Sequence, residues 1–88
     1  MSERALKLGV VMDPIADIAY KKDTTLAMLW AAQERGWSLY YLEPEDLYLE
    51  GGRAMGRMRA LEAYRDPEAW YRLDVSRAAP LAELDVIL

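Results

Sequence analysis

The 88-residue chain contains no histidine and no cysteine. Zinc sites built on imidazole or thiolate, cysteine nucleophiles and histidine-activated hydroxyls are therefore out of reach, and Ser38 and Ser76 have no imidazole to activate them. A disulfide framework is excluded for the same reason. No uninterrupted apolar stretch approaches the roughly 20 residues of a membrane-spanning helix, and Met1-Ser2-Glu3-Arg4 lacks the basic and then apolar start of a secretory signal. A cytoplasmic location without membrane contact is expected. Gly9 has neither a GxGxxG nor a GxxxxGKS/T pattern around it, which leaves no glycine-rich phosphate cradle. Fifteen acidic against eleven basic side chains give a net charge of −4, which opposes a sequence-independent grip on nucleic acid. Internal repeats and low-complexity tracts are missing too.

What is present is 53% apolar, too apolar for disorder. A chain of this length makes one domain and buries only roughly 60–65% of its unfolded surface, so its stability should be modest. Leu8-Gly9-Val10-Val11-Met12 is uncharged and β-branched in part, which predicts a central strand covered on both faces. Leu26 to Arg35 is rich in helix formers, preceded by Asp23-Thr24-Thr25 as caps and followed by Gly36. Leu26, Leu29 and Trp30 should face the sheet, with alanines permitting close approach. The apolar arc is wide enough for the other side of the helix to meet a second subunit.

Ser38 to Glu43 has strand composition and stops at Pro44, which completes a strand-helix-strand unit with an expected right-handed crossover. Asp46 to Glu50, the Gly51-Gly52 pair and the segment from Arg53 read as a β-hairpin. Ala54 to Tyr64 has helical propensity, but the hairpin signal favours a strand. In that state Arg53, Arg57 and Arg59 share one face, either as a phosphate or polyanion site or as a solvated edge that discourages strand-on-strand association; the edge is preferred. Asp66-Pro67-Glu68 either caps a short helix or turns the chain toward Trp70 to Leu73. Arg77 to Pro80 is expected to be a loop, Pro80 to Glu83 a helical turn, and Leu84 to Leu88 a last strand. The acidic groups Glu43/Glu45/Asp46 and Asp66/Glu68 sit by turn signals, without metal-ligand spacing, and read as structural or solvated.

Four blocks resemble the amino-terminal segment of bacterial glutathione synthetases: Gly9 to Ala16, Tyr20 to Leu29, Asp46-Leu47-Tyr48 and Pro80 to Leu88. Thr24-Thr25 stand where two serines are expected, a change that keeps both hydroxyls. The resemblance implies an α/β, Rossmann-like pre-ATP-grasp domain over residues 1–88, three-layer-like, with a mostly parallel sheet, a flanking helix and a β-hairpin. It also favours strand for residues 53–64 and a further extended piece near Trp70. The central and ATP-grasp domains of that family would lie beyond Leu88, and the chain reads as cut after its last strand. The implied parent is a cytoplasmic, oligomeric ligase that activates γ-glutamylcysteine as an acyl phosphate with ATP and Mg2+ and joins it to glycine. ATP and Mg2+ would bind outside this segment, which alone would be inactive, with no catalytic residue and no metal ligand. A freestanding, non-catalytic α/β interaction module is the alternative; it would use the loop from Asp13 to Asp23 to hold a partner.

Any chemistry in this segment should lie between Met12 and Thr25. Ligands gather at the carboxyl ends of strands in open α/β sheets, and the connection from Asp13 to Asp23 is about twice the usual upper length of about 6 residues for such loops. Long loops of this kind are often functional. Ile15, Ile18 and Tyr20 should pack against something, either this domain's own sheet or the domains beyond it. The free N–H groups at the helix start favour an anion, although Asp23 or Thr24 acting only as an N-cap explains the same residues. Asp13, Pro14, Ile15, Asp23, Thr24 and Thr25 are the candidate substrate-binding set, which the resemblance places beside γ-glutamylcysteine.

Overall fold

A computed structural model describes residues 6–17 and 24–87. The elements run β1 (Lys7–Val11), α1 (Thr24–Glu34), β2 (Ser38–Leu42), β3 (Leu47–Glu50), β4 (Arg53–Ala63), β5 (Tyr71–Pro80) and β6 (Val86–Ile87). Single 3-10 turns cover Ile15–Asp17, Pro44–Asp46 and Leu81–Glu83. Ile18, Tyr20 and Asp23 lie outside the described residues.

β1 is the inner strand of a parallel trio, with β2 on one side (Leu8 opposite Leu39) and β6 on the other (Leu8 opposite Val86). Leu8, Gly9 and Val10 are all buried, as their uncharged run predicts. The mostly parallel sheet is corrected, however. β4 pairs antiparallel with β2, β3 and β5, so the six-stranded sheet is mixed and mostly antiparallel. The reason is the length of β4: one edge is shared in succession by β3 and β2, and the other runs along β5. Only two layers are formed by the described residues, the sheet and α1 on one face.

The hairpin turns on Gly51 and Gly52, both at positive φ (57° and 79°), with Glu50 paired to Arg53. Two successive positive φ values suit the twist of a two-residue hairpin loop and cost a glycine no Cβ clash. α1 ends as its sequence predicts. Gly36 has φ 79°, its N–H donates to the Gln33 carbonyl (2.9 Å), and the Trp37 N–H donates to Ala32 (3.1 Å), the paired bonds of a Schellman cap. Asp66-Pro67-Glu68 is a turn and not a helix; the Asp66 side chain accepts from the Glu68 N–H (2.9 Å). The expected loop at Arg77 to Pro80 is strand instead, paired with Met55 to Met58 of β4. Asp74 and Val75 of β5 lie opposite the single residue Ala60, a bulge in the ladder.

Strand alternation sorts the core onto two faces. Under α1, Leu26, Leu29 and Ala32 meet Leu8, Val10, Leu39, Tyr41, Leu61 and Ala63, together with Ile15. Trp30 is half-buried at the margin of that cluster. On the opposite face Leu42, Met58, Ala79 and Leu84 form a smaller cluster, with Val11, Tyr40 and Leu81 packed against it.

Candidate functional site

The carboxyl ends of β1 and β2 converge on the segment Met12 to Asp17. Met12 extends the ladder by one residue, its N–H donating to the Leu42 carbonyl (3.0 Å). Asp13 and Pro14 follow, both exposed, and Ile15 then dives into the core at 2% exposure. Of the apolar loop residues expected to pack, Ile15 does so against this domain's own sheet.

The Ile15 peptide is held from two directions. Its N–H donates to the Tyr41 hydroxyl (3.1 Å), and its carbonyl accepts from the Trp70 indole Nε1 (3.1 Å). The Tyr41 hydroxyl donates in turn to Glu43 Oε2 (2.5 Å). Glu43 is fixed by its own main chain, since its N–H donates to Asp46 Oδ2 (2.9 Å) and its carbonyl accepts from the Asp46 N–H (2.9 Å). Burial, reinforced by the Glu43 carboxylate, pushes the Tyr41 phenol up to about 12. The hydroxyl stays protonated and spends that proton on Glu43, which leaves a lone pair for Ile15.

Glu43 is held below the ordinary carboxylate range, first by the Tyr41 hydroxyl and then by a hydrogen bond from Glu45. Glu45, sharing that bond, is pushed up. Arg59, the register partner of Tyr41 on β4, adds a favourable charge to both Tyr41 and Glu43 in their ionised forms. β4 is extended throughout, so Arg53, Arg57 and Arg59 do share a face, and Arg57 lies over the Tyr48 ring at 5.6 Å.

Among the candidate set, the structure thus brings Asp13, Pro14 and Ile15 together at the end of β1. Thr24 and Thr25 open α1, Thr24 exposed and Thr25 half-buried. Asp23 lies outside the described residues. Sequence reasoning does not single out Tyr41 or Trp70; Glu43, read from the sequence as structural or solvated, is structural. The signal for Glu43 was the Glu43-Pro44-Glu45-Asp46 turn itself; the Trp70 contact spans 55 residues and has no local signature. A cleft of about 440 Å3 between Trp37, Ser38, Tyr40, Glu62 and Tyr64 lies at the amino end of β2. None of the candidate residues lines it, and strand topology favours the carboxyl end for a ligand. Among the described residues no three acidic side chains converge to hold a metal ion, and no helix is long and apolar enough to cross a membrane.

Comparison with known proteins agrees with the resemblance in the sequence. The family model described as prokaryotic glutathione synthetase, N-terminal domain, matches residues 6–88. The glutathione synthetase of Pseudomonas putida is 58% identical over 84 residues, covering 96% of this chain and 26% of that relative. Its counterpart in Pseudomonas aeruginosa is 56% identical over 84 residues with the same coverage. That of Escherichia coli O127:H6 is 51% identical over 83 residues, 94% of this chain and 26% of the relative. The chain spans about a quarter of the length of these curated relatives. With the family match reaching from β1 to beyond β6, the chain belongs to the N-terminal domain family of the prokaryotic glutathione synthetases.

Proposed function

We propose that this chain is the amino-terminal, pre-ATP-grasp part of a cytoplasmic, oligomeric glutathione synthetase, and that the end of β1 with the start of α1 forms one wall of its γ-glutamylcysteine site. The observation that supports this reading is the match along residues 6–88 to enzymes of that name. In the complete enzyme the γ-glutamylcysteine carboxylate takes a phosphoryl group from ATP, and the glycine amine displaces phosphate from the resulting acyl phosphate. ATP and Mg2+ belong to the remaining three quarters of the protein; this segment contributes binding and orientation.

Asp13 and Pro14 are exposed where two parallel strands end. Asp13 suits the ammonium group of the dipeptide, and the N–H groups that open α1 at Thr24 and Thr25 suit one of its carboxylates. Ile15 serves the wall as the anchor of Asp13 and Pro14, its side chain being committed to the core and its N–H and carbonyl to Tyr41 and Trp70; Asp23 is proposed with this set only as the sequence neighbour of Thr24.

The test uses the full-length protein. Wild type should convert γ-glutamylcysteine, glycine and ATP to glutathione, ADP and phosphate, whereas residues 1–88 alone should not. Asp13→Asn and the pair Thr24→Ala/Thr25→Ala should each raise KM for γ-glutamylcysteine by roughly tenfold, the scale of one hydrogen bond to a charged group, and leave KM for ATP unchanged. An unaltered KM would remove the Asp13 carboxylate and the two hydroxyls from the site, the N–H groups at the start of α1 being untouched by these substitutions.

A further inference from the structure

Two exposed residues, Asp13 and Pro14, are strung between two anchored ones. Before them, Met12 is tied to Leu42 by the last bond of the parallel ladder. After them, Ile15 is held by its buried side chain, by the Tyr41 hydroxyl on its N–H and by the Trp70 indole on its carbonyl. The acceptor and the donor come from different parts of the sheet: Tyr41 lies on β2, and Trp70 precedes β5 on the far side of β4. Each uses the polar tip of a side chain whose ring packs with the core under α1. Pro14 fixes its own φ and its carbonyl accepts from the Asp17 N–H (2.9 Å), so little torsional freedom remains between the anchors.

Hydrophobic packing alone would have been satisfied by phenylalanine at position 41. The hydroxyl is aimed instead at a main-chain N–H of the candidate loop, and its proton is directed to Glu43, itself held in place by Asp46. We propose that Tyr41 and Trp70 are positioning residues for the substrate wall, clamping the Ile15 peptide so that Asp13 and Pro14 are presented to the dipeptide in one geometry. This rests on the reading of the β1 end as part of the γ-glutamylcysteine site. Preorganisation of that kind lowers the ordering cost paid on binding, so losing the clamp weakens substrate binding even though neither side chain touches substrate.

The experiment is steady-state kinetics on the full-length protein with Tyr41→Phe, Trp70→Phe and the double variant, beside Tyr40→Phe as a control. Tyr40 neighbours Tyr41 but points to the opposite face of the sheet. Tyr41→Phe and Trp70→Phe are expected to raise KM for γ-glutamylcysteine about five- to tenfold, with kcat and KM for ATP within twofold of wild type. The double variant should fall short of the product of the single effects, because both groups restrain one residue. Glu43→Gln retains an acceptor for the Tyr41 proton and should restore most of what Glu43→Ala loses. A loss of thermal stability without the selective change in KM, or an equal change in both KM values, would overturn the clamp and leave a structural role only. A wild-type protein that makes no glutathione would instead sink the functional reading itself.

Discussion

Tyr41 is the residue at which burial, hydrogen bonding and titration meet. A phenol ordinarily titrates at 10.0, and here burial and the Glu43 carboxylate push it to about 12. The native state therefore holds this proton more tightly than the unfolded chain. The resulting stabilisation is fully present below pH 10 and is lost as pH rises through about 12. Each pKa unit corresponds to about 1.4 kcal/mol, so the effect is on the order of 3 kcal/mol across that window. On the acid side the two glutamates oppose each other: depressed Glu43 loses stabilisation as pH falls, whereas raised Glu45 gains it. The alkaline limb is thus the clean readout. Urea unfolding of wild type and Tyr41→Phe should diverge little in pH dependence between about pH 7 and 9, above the carboxylate range that the substitution also disturbs through Glu43, and wild type should then lose stability faster as pH rises from 10 to about 12. Tyr64, raised by its bond to Glu62, titrates in both proteins and cancels from the difference. Parallel pH profiles would show that the Tyr41 hydroxyl is not held as described.

At the scale of elements, the sheet is completed where a strand is missing. β2 pairs with β4 as far as Leu39 opposite Leu61. Two residues further along, Ala63 would face Trp37, which belongs to the cap of α1. The Gln33 side chain takes the vacant place: its Nε2 donates to the Ala63 carbonyl (2.8 Å) and its Oε1 accepts from the Ala63 N–H (2.6 Å). Gln33→Ala would strip both partners from a residue that is 4% exposed, at a cost of about 1–3 kcal/mol. Urea denaturation and amide exchange at Ala63 would report it; a loss under about 0.5 kcal/mol would mean that water replaces the amide without penalty. This splice also marks the boundary of what the sequence made legible. β1, α1 and the hairpin announce themselves locally, through an uncharged β-branched run, Gly36 after a helix-forming stretch, and Gly51-Gly52. β5 does not, because Arg77-Ala78-Ala79-Pro80 has no β-branched residue and becomes strand only by lying along β4. The sheet's direction was misjudged for the same reason: nothing local tells an 11-residue strand that it will take three antiparallel partners. The candidate loop was legible through its place after β1, but its clamp was not, since Tyr41 and Trp70 meet Ile15 across 26 and 55 residues.

The whole molecule measures 41 × 39 × 21 Å. Its thin dimension matches one helix layer on one sheet, each about 10 Å thick. Among the described residues the face away from α1 is covered by the 3-10 turn Leu81–Glu83 and by Leu84, and it is closed by removing side chains as much as by adding them. A Cβ at Gly9 would run into the Leu84 side chain, and one at Gly56 would come within 2.6 Å of Leu42 Cδ2 and 2.9 Å of Leu81 Cδ2. Glycine in a strand interior carries an entropic cost, so its presence at both positions follows from close approach and not from backbone need; neither has a positive φ. Gly56→Ala must displace two side chains, one of them the fully buried Leu42, and should cost about 1–3 kcal/mol. The atoms nearest a Cβ at position 9 belong to Leu84, which is 9% exposed and has more room to yield, so the cost of Gly9→Ala should fall at the lower end of that range. A double-mutant cycle isolates the contact. Leu84→Ala alone leaves a cavity worth about 2 kcal/mol or more, but it also vacates the space that a side chain at position 9 requires. Gly9→Ala/Leu84→Ala should therefore be less destabilised than the sum of the two single variants by at least about 0.5 kcal/mol. Gly56→Ala with Leu84→Ala, whose new Cβ meets Leu42 and Leu81 instead, should come closer to additivity. Strict additivity at Gly9 and Leu84 would mean that this face is not held shut by the Leu84 side chain resting on β1.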